Sequence, residues 1–400
     1  ANAEVNDAIK AQLDRIAHGY RYTFTSDAAD ELQEIIFRRT GGGFQKLVFV
    51  SSGSEAVESC MKIVLQYWSA VGRQGKRRFI ARRRSWHGNT LGALSVYDLK
   101  SRRAAFEGSL LDVSFVSAAN DYRRPAGVSP DELALHLARE LEEEILRVGS
   151  EKVAAFIFEP VVGAAGGVVP APEGYAKAVQ EVCRRHDVLL VADEVMCGSG
   201  RVGTWRALEH DGVMPDIMSI AKGLAGGYIP LGAALYSGRI GDALQNAHGG
   251  VQTGHTFTGH TAACAAGVAV QKIIDRDGLV ERVRERGAIL QDELRAALAN
   301  VPEVGDVRGR GYFIGLELVC DPATKTPFAA DLKLNARIGA NAFERGLIVY
   351  PCAGNVDGVS GDTIIVAPPY NASEAELSEI VEKLAHAITE EVGKVRGRRT

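Results

Sequence analysis

The sequence predicts an α/β fold, in which a large domain is built on a mainly parallel sheet and a smaller α+β domain follows it. Short apolar runs alternate with helical patterns at residues 47–50, 55–68, 154–158, 175–185, 188–192 and 217–221. Parallel strands need crossover helices and are buried on both faces, so this alternation predicts one sheet that is covered by helices on both sides. We therefore expect the functional residues at the ends of the strands.

The change of domain is predicted where an apolar helical run at residues 259–274 gives way to a charged helix at residues 279–298. Strand patterns near residues 312–319, 347–350 and 363–366, with a last helix at residues 374–391, make the second domain α+β. The predicted parts are a front segment of the small domain, a large domain and a C-terminal small domain, at residues 1–25, 26–275 and 276–400. Because Ala1 already lies in an apparent helix, we expect that a stretch has been cut from the front.

The composition is that of an ordinary globular protein. Of 400 residues, 46% are hydrophobic and 24% are charged, which excludes disorder and a fibrous class. A net charge of −4 gives no basic footprint for nucleic acid, and the one dense basic run, at residues 76–84, fits a solvated strand edge. The apolar runs are only as long as strands, so no membrane span is expected.

Six cysteines lie scattered through the chain without a CxxC pair: Cys60, Cys183, Cys197, Cys264, Cys320 and Cys352. This spacing argues against a disulfide framework and against a zinc site, so no metal is expected. The compartment that fits free thiols best is a reducing cytoplasm.

The first segment with chemical character is Ser-Ser-Gly-Ser-Glu-Ala at residues 51–56, between a buried strand and a helix. A turn at Gly53 that leads into a helix N-terminus presents free backbone N–H groups and the positive end of the helix dipole. Both features favour a phosphate monoester. A helix that is simply well capped by serine has the same pattern.

The second segment is the apolar strand at residues 188–192, which two adjacent carboxylates follow, Asp193 and Glu194. Consecutive side chains of a strand point to opposite faces, so one carboxylate can face a ligand while the other faces the far side of the sheet. A carboxylate beside a pyridine nitrogen keeps that nitrogen protonated. The alternative is a structural or metal-binding acid at the end of a strand.

The third segment contains Lys222, which stands at the end of the apolar strand at residues 217–221 and before a glycine-rich turn. Lysine is seldom buried without a partner, so a lysine at this position can be an amine that forms a Schiff base. The alternative is an ordinary surface lysine on a loop.

The order of these segments resembles the fold-type I pyridoxal-phosphate enzymes and, among them, the class III aminotransferases. A phosphate-binding turn is followed by Trp86-His87-Gly88, then by Asp193 and then by Lys222. The resemblance runs over nearly the whole chain, and the combination is more specific than any single motif. It implies a mainly parallel seven-stranded sheet, pyridoxal 5′-phosphate as the cofactor and aminotransferase activity.

The resemblance also implies which residues hold the cofactor. Gly53 and Ser54 match the phosphate-binding turn. Trp86 matches the aromatic residue that stacks on one face of the pyridine ring, and Val195 matches the residue that packs on the other face. Thr256, in the segment at residues 254–260, matches the threonine that reaches the phosphate of the neighbouring subunit. An obligate homodimer with shared active sites is therefore implied.

Two catalytic roles follow from the same resemblance. Asp193 matches the acid that pairs with the ring nitrogen, and Lys222 matches the Schiff-base lysine, which then moves the substrate proton as general base and acid. Glu159 fits a family position beside the substrate pocket, although a glutamate at the end of a strand can also form a structural salt bridge. His87 can simply support the aromatic stack, and it is left out of the catalytic set.

The substrates depend on how a carboxylate is bound. Relatives that use 2-oxoglutarate carry an arginine three residues before the first proline of an Ala-Pro-Pro motif, where this chain has Ile365. Pyruvate-dependent ω-transaminases carry a mobile arginine near the position of Gly358, and no arginine occurs at residues 346–395. A small acceptor tolerates a simpler carboxylate site. The sequence therefore predicts amino transfer from an amine or ω-amino acid to a keto acid, pyruvate, in a ping-pong cycle.

Three alternatives stay open at the level of sequence. A racemase or aminomutase of the same fold would keep Lys222, Asp193 and the phosphate turn, and it would release no ketone. A 2-oxoglutarate-dependent aminotransferase would find its arginine elsewhere. A regulator that only binds the cofactor usually requires a fused DNA-binding segment, and the sequence contains none.

Overall fold

The structure is a computed structural model, and it describes residues 1–20 and 23–397. The α-helices of these residues are α1 Ala3–Arg15, α2 Asp27–Arg39, α3 Gly53–Ala70, α4 Leu91–Ser95, α5 Lys100–Arg103, α6 Pro130–Val148, α7 Tyr175–Arg185, α8 Gly238–His248, α9 Thr261–Arg276, α10 Leu279–Ala297, α11 Leu334–Glu344 and α12 Glu374–Arg396. Short 3₁₀ helices lie at Glu107–Ser109, Ala207–Asp211, Lys222–Leu224 and Ala330–Leu332. The strands are β1 Lys46–Val50, β2 Arg78–Arg82, β3 Val113–Val116, β4 Val153–Phe158, β5 Val161–Val162, β6 Val169–Pro170, β7 Leu189–Asp193, β8 Ile217–Ile220, β9 Gly232–Tyr236, β10 Val304–Arg310, β11 Phe313–Leu318, β12 Tyr350–Ala353 and β13 Asp362–Val366.

The large sheet has seven strands in the order β1-β9-β8-β7-β4-β2-β3. Neighbours from β3 to β8 pair in parallel, and β9 is antiparallel to both β8 and β1. The mainly parallel seven-stranded sheet that the sequence predicted is therefore confirmed. Strands β7 and β8 are neighbours, so their carboxyl ends meet at one edge of the sheet, where Asp193 is opposite Ser219.

Both faces of this sheet are buried against helices. In β7, Leu190 and Ala192 belong to one hydrophobic cluster, and Leu189 and Val191 belong to a second one. Helices α2, α6, α7 and α9 cover the first face, and α3 and α8 cover the second. This alternation is the two-residue period of a strand, and its continuation points Asp193 toward the face of α3.

A four-stranded antiparallel sheet, in the order β10-β11-β13-β12, forms the C-terminal part and packs with α10, α11 and α12 around a cluster of its own. The strand predicted at residues 347–350 begins only at Tyr350, because pairing with β13 starts there and Ile348 is 83% exposed. The exact division of the chain at residue 275 stays a prediction.

Helix α1 lies on the large sheet's side of the molecule, and not with the small sheet, where the sequence placed residues 1–25. Val5 is buried in the first cluster of the large sheet, and α1 packs along α9. The hydroxyl of Thr261, at the start of α9, donates to the carbonyls of Ile16 and Ala17 at 2.9 and 2.8 Å. The end of α1 is thus fastened by a partner that is distant in sequence. Residues 21, 22 and 398–400 of the predicted segments lie outside the described residues.

The basic run at residues 76–84 is not a solvated strand edge, because β2 lies between β3 and β4. Arg82 is fully buried, and its guanidinium lies over the rings of Phe158 and Tyr175 at 5.2 and 5.3 Å. The ammonium group of Lys76 donates to three backbone carbonyls, those of Ser150, Val153 and Asp187. Burial lowers the pKa of Lys76 to about 8. These cations satisfy buried carbonyl groups, which a count of charges does not reveal.

No helix in the described part of the chain is long and apolar enough to cross a membrane.

Candidate active site

The predicted site residues meet at the carboxyl ends of β7 and β8, beside the N-terminus of α3. A cleft of about 110 Å³ there is lined by Gly53, Ser54, Trp86, His87, Gly88, Glu159, Asp193, Val195, Met196 and Lys222. A second space, the substrate cavity, measures about 660 Å³ and shares Trp86, Met196 and Lys222 with the cleft. Of the residues that the sequence proposed for the site, only Thr256 lies elsewhere, on an exposed loop between α8 and α9.

The turn before α3 is organised by its own side chains. The hydroxyl of Ser52 accepts from the N–H of Glu55 at 3.1 Å, and the Glu55 carboxylate accepts from the N–H of Ser51 at 2.6 Å. The N–H groups of Gly53 and Ser54 lie in the first turn, where a helix offers them no partner. A Cβ atom at Gly53 would come within 2.7 Å of Val195. Glycine is therefore required for this close approach of the turn to the neighbouring strand end.

Three donors fix the carboxylate of Asp193. Its Oδ2 accepts from Nδ1 of His87 at 2.7 Å, and its Oδ1 accepts from the N–H of Val195 at 3.0 Å and from the hydroxyl of Ser219 at 2.9 Å. The side chains of His87 and Asp193 are 0% and 4% exposed. The carboxylate is thereby held in one orientation at the floor of the cleft.

Glu194 points to the other side of the sheet and serves a structural purpose. Its carboxylate accepts from the N–H groups of Ala207 and Leu208 at 2.6 and 3.1 Å, at the start of the 3₁₀ helix Ala207–Asp211. Burial raises the pKa of Glu194 to about 7. Because Glu194 does not line the cleft, the two adjacent carboxylates divide into one at the site and one that caps a helix.

Glu159 positions the segment that carries Trp86. Its carboxylate accepts from the N–H of Trp86 at 2.8 Å and from the N–H of Gly163 at 2.9 Å, and among the described residues it forms no salt bridge. Burial raises its pKa, and the nearby charge of Asp193 acts in the same direction. The indole of Trp86 stacks on Tyr97, with ring centroids 4.7 Å apart. Glu159 therefore both lines the cleft and holds the aromatic residue in place.

Lys222 stands where the cleft and the substrate cavity join. Its φ angle is +42°, in the left-handed region that residues other than glycine seldom adopt. Such a backbone costs on the order of 1–3 kcal/mol and is typical of functional sites. The side chain is exposed in the single chain, so the sequence argument from burial does not explain it. The uncommon backbone conformation at the end of β8 is the feature that sets this lysine apart.

Three contributors to the site were not proposed from the sequence, and a fourth, His87, was considered there only as a support of the aromatic stack. Ser219 and His87 fix Asp193, while Met196 and Arg102 line the substrate cavity. The pairing of β7 with β8 could have indicated Ser219, because neighbouring parallel strands end together. Arg102 follows α4 on the short helix α5, and no pattern in the sequence marks it.

Within the described residues, no group of three His, Cys, Asp or Glu side chains is placed to hold a metal ion.

Comparison with known proteins decides the family, since the model for aminotransferase class-III matches residues 1–388. The chain belongs to the class III aminotransferases. An uncharacterised aminotransferase of Schizosaccharomyces pombe is 42% identical, with 98% of this chain and 86% of that protein covered. A diaminobutyrate–2-oxoglutarate transaminase of Halomonas elongata is 38% identical, with 96% and 82% covered. An amine transaminase from an uncultivated Pseudomonas species, solved in its PLP-bound form, superposes with a TM-score of 0.91 at 35% identity, with 98% and 87% covered.

The cofactor of this aminotransferase is pyridoxal 5′-phosphate, and the cleft fits it. The free N–H groups of Gly53 and Ser54 suit the phosphate, and the space between Trp86 and Val195 suits the ring. Asp193 would pair with the ring nitrogen. When bound, the cofactor supplies an electron sink for the carbanion at the substrate's α carbon. Nζ of Lys222 would accept the proton from the substrate's α carbon and later return it.

Proposed function

We propose that this aminotransferase moves an amino group from an amine or ω-amino acid to a keto acid, pyruvate, in a ping-pong cycle. The observation that carries the proposal is the position of Ile365. Its side chain lines the substrate cavity at the place where relatives that use 2-oxoglutarate carry an arginine. An isoleucine offers a carboxylate no hydrogen bond.

The cations around the site support the same choice. Among the described residues that line the cleft and the substrate cavity, Lys222 is the lysine and Arg102 the arginine, and His87 is paired with Asp193. Lys222 is occupied by the chemistry, so one guanidinium remains for carboxylate recognition. It lies over the ring of Trp86, with Cζ 5.5 Å from the ring centroid. One guanidinium suits a monocarboxylate such as pyruvate better than a dicarboxylate.

A 2-oxoglutarate acceptor is the second candidate, and the name of the Halomonas elongata relative favours it. The two candidates differ in the half-reaction that regenerates the cofactor. The protein is first converted to its amino form with a donor amine, the donor is removed, and pyruvate or 2-oxoglutarate is added while the absorbance of the cofactor is followed. We expect kcat/KM to be at least about tenfold higher for pyruvate, and a clearly better 2-oxoglutarate would contradict the proposal.

The same half-reaction tests Arg102. Arg102→Gln should raise KM for pyruvate by about 10- to 100-fold and change kcat little, because a charged hydrogen bond to a carboxylate contributes about 1.5–3 kcal/mol. Lys100→Gln, an exposed residue of the same short helix, is the matched control and should change neither constant. Equal effects of both substitutions would remove Arg102 from carboxylate recognition.

We also propose a homodimer, in which Thr256 of each subunit reaches the cofactor phosphate of the other. Thr256 is exposed and does not line the cleft of its own chain. The neighbouring Phe257 is 55% exposed and packs edge-on against His18, and Phe24 is 61% exposed. Exposed aromatic side chains around this loop support a partner surface there.

A further inference from the structure

A further cavity lies between the large sheet and the loop at residues 354–361, which joins β12 to β13. We call it the arginine cavity. It measures about 270 Å³, and Arg83, Arg84, Arg123 and Asn355 are among its lining residues. Of the described residues that line it, none carries a carboxylate. It shares no lining residue with the cleft or with the substrate cavity.

Four buried polar atoms around this cavity have no hydrogen-bond partner within the described part of the chain. They are Nη1 of Arg84, Nη2 of Arg123 and both side-chain polar atoms of Asn355. Asn355 is 2% exposed, so bulk water does not reach it. A buried polar group without a partner costs about 1–3 kcal/mol, and a charged one costs more. Polar atoms on three side chains from separate parts of the fold therefore lack a hydrogen-bond partner, and all three side chains line the same cavity.

The acids outside the cavity do not satisfy the arginines. Asp98 lies 3.8 Å from a guanidinium nitrogen of both Arg83 and Arg84, which is too far for a hydrogen bond. Glu317 accepts from Nε of Arg123 at 2.6 Å, but Arg308 shares the same carboxylate. Asp98 therefore forms no hydrogen bond with either guanidinium, and Glu317 is shared by two, so N–H donors of the arginines are left without a carboxylate partner.

The backbone holds Arg84 against the loop. Its φ angle is +57°, which is unusual for a residue other than glycine. A Cβ atom at Gly358 would come within 2.8 Å of Nη1 of Arg84, so the loop lies close against this guanidinium, and the φ angle of +94° at residue 358 itself favours glycine. Asp357 in the same loop uses its carboxylate on the N–H groups of Val359 and Ser360, at 2.8 and 2.6 Å.

We propose that the arginine cavity binds a small oxyanion, whose carboxylate or phosphate oxygens accept from Arg84, Arg123 and Asn355. Guanidinium groups bind both kinds of anion through paired N–H donors. A bound anion would connect the loop at residues 354–361 to the large sheet. The loop continues from β12, which lines the substrate cavity, so the anion also fixes one wall of that cavity. This site is separate from the proposed amino transfer.

Calorimetric titration of the cofactor-saturated protein tests the proposal, in a buffer without phosphate or carboxylate. Inorganic phosphate is used in one arm and acetate in the other, since saturation with cofactor keeps phosphate out of the cofactor site. Binding of phosphate alone assigns a tetrahedral oxyanion, binding of acetate alone assigns a carboxylate, and binding of both supports the shared chemistry. The absence of binding up to millimolar concentrations would overturn the proposal, because the cavity would then hold only water.

Asn355→Asp is the decisive variant, because it keeps the shape of the side chain and adds a negative charge. We expect it to weaken anion binding at least tenfold while the urea midpoint without anion does not fall, since the new carboxylate pairs with the arginines. Arg84→Gln should also weaken binding. Arg124→Gln is the matched control, because Arg124 pairs with Asp121 and does not line the cavity. Equal binding in all four proteins would show that the anion binds elsewhere.

Discussion

Lys222 combines an uncommon backbone conformation with a place at the junction of the cleft and the substrate cavity. The 3₁₀ helix that begins there follows β8 directly, so the end of the strand sets the position of the amine. Asp193, at the end of β7, is held by partners from two other segments. Single residues at this site are thus positioned by the ends of neighbouring strands.

Lys222→Ala should abolish the borohydride-stable attachment of the cofactor and lower transamination by at least about 10³-fold, because the variant loses both the amine and the proton-transfer group. The measurement is borohydride reduction followed by mass spectrometry of the labelled peptide. Lys152→Ala, which removes an exposed lysine with 62% of its side chain accessible, is the control and should retain both properties. A stable adduct on another lysine would contradict the assignment.

For single residues, the sequence predicted which side chains belong to the site better than it predicted their hydrogen-bond partners. Asp193 and Lys222 could be named because each stands directly after an apolar strand. Ser219, which donates to Asp193, could not, since its role depends on the pairing of β7 with β8. Arg102 lies near Trp86 only because of the path of the chain through α4 and α5.

Among the elements, β7 shows most clearly how a strand separates two functions. The side-chain alternation places Asp193 at the cleft and directs Glu194 to the start of the 3₁₀ helix Ala207–Asp211. Burial raises the pKa of Glu194 to about 7, whereas a glutamate in an unfolded chain has a pKa of about 4.3. Between these values the folded protein holds a proton that the unfolded chain has released. The stability from this group is fully present below about pH 4.3 and is lost as the pH rises through about 7.

Glu194→Gln should therefore reduce the loss of unfolding free energy between pH 5 and pH 8 by about 2–3 kcal/mol, since glutamine does not ionise. Urea unfolding of the wild type and the variant at both pH values measures the difference. Glu181→Gln, at an exposed position of α7, is the control and should leave the pH dependence unchanged. The same pH dependence in Glu194→Gln as in the wild type would contradict the buried ionisation.

Regular elements were predicted well where the apolar period is strong, as in α7 and β4. β10 was not predicted because Val304–Arg310 contains two glycines and three charged residues, and the pairing with β11 compensates for this weak local preference. β2 was misread for a related reason. Its arginines suggested solvent, but the carbonyl of Glu159 and the aromatic rings of Phe158 and Tyr175 form a buried site for the Arg82 guanidinium.

At the scale of the whole molecule, the fold class followed from the alternation of strands and helices, but the place of α1 did not. An amphipathic helix at the start of a chain can cover either layer, and only the contact with α9 decides between them. The alternation of strands and helices does not predict a second subunit either. The sequence names Thr256 by resemblance, and the exposed loop around it supports the proposed dimer.

Mixed dimers test the shared site. Thr256→Ala alone should weaken cofactor binding by about tenfold or more, because a hydrogen bond to a charged phosphate is lost. A dimer of one Lys222→Ala subunit and one Thr256→Ala subunit contains one intact pairing of Lys222 with Thr256. We expect that this dimer has one site with the cofactor affinity of the wild type.

Cofactor titration of a mixed preparation with two different tags measures these affinities. Thr258→Ala, which removes the hydroxyl that accepts from the N–H of His255, controls for damage to the loop. If the mixed dimer has only sites with weakened cofactor affinity, Thr256 does not bind the cofactor phosphate of the other subunit.

The close contact of Gly53 with Val195 restricts how this protein can change over time. A side chain at residue 53 would displace the phosphate turn and Val195 together, so neither can be adjusted there without the other. The opposite wall of the substrate cavity includes Phe313, Cys352 and Ile365 of β11, β12 and β13, which pack in a hydrophobic cluster separate from the two that cover the large sheet. New substrates are therefore accommodated most easily by substitutions in the small sheet, while the half of the site that holds the cofactor is preserved.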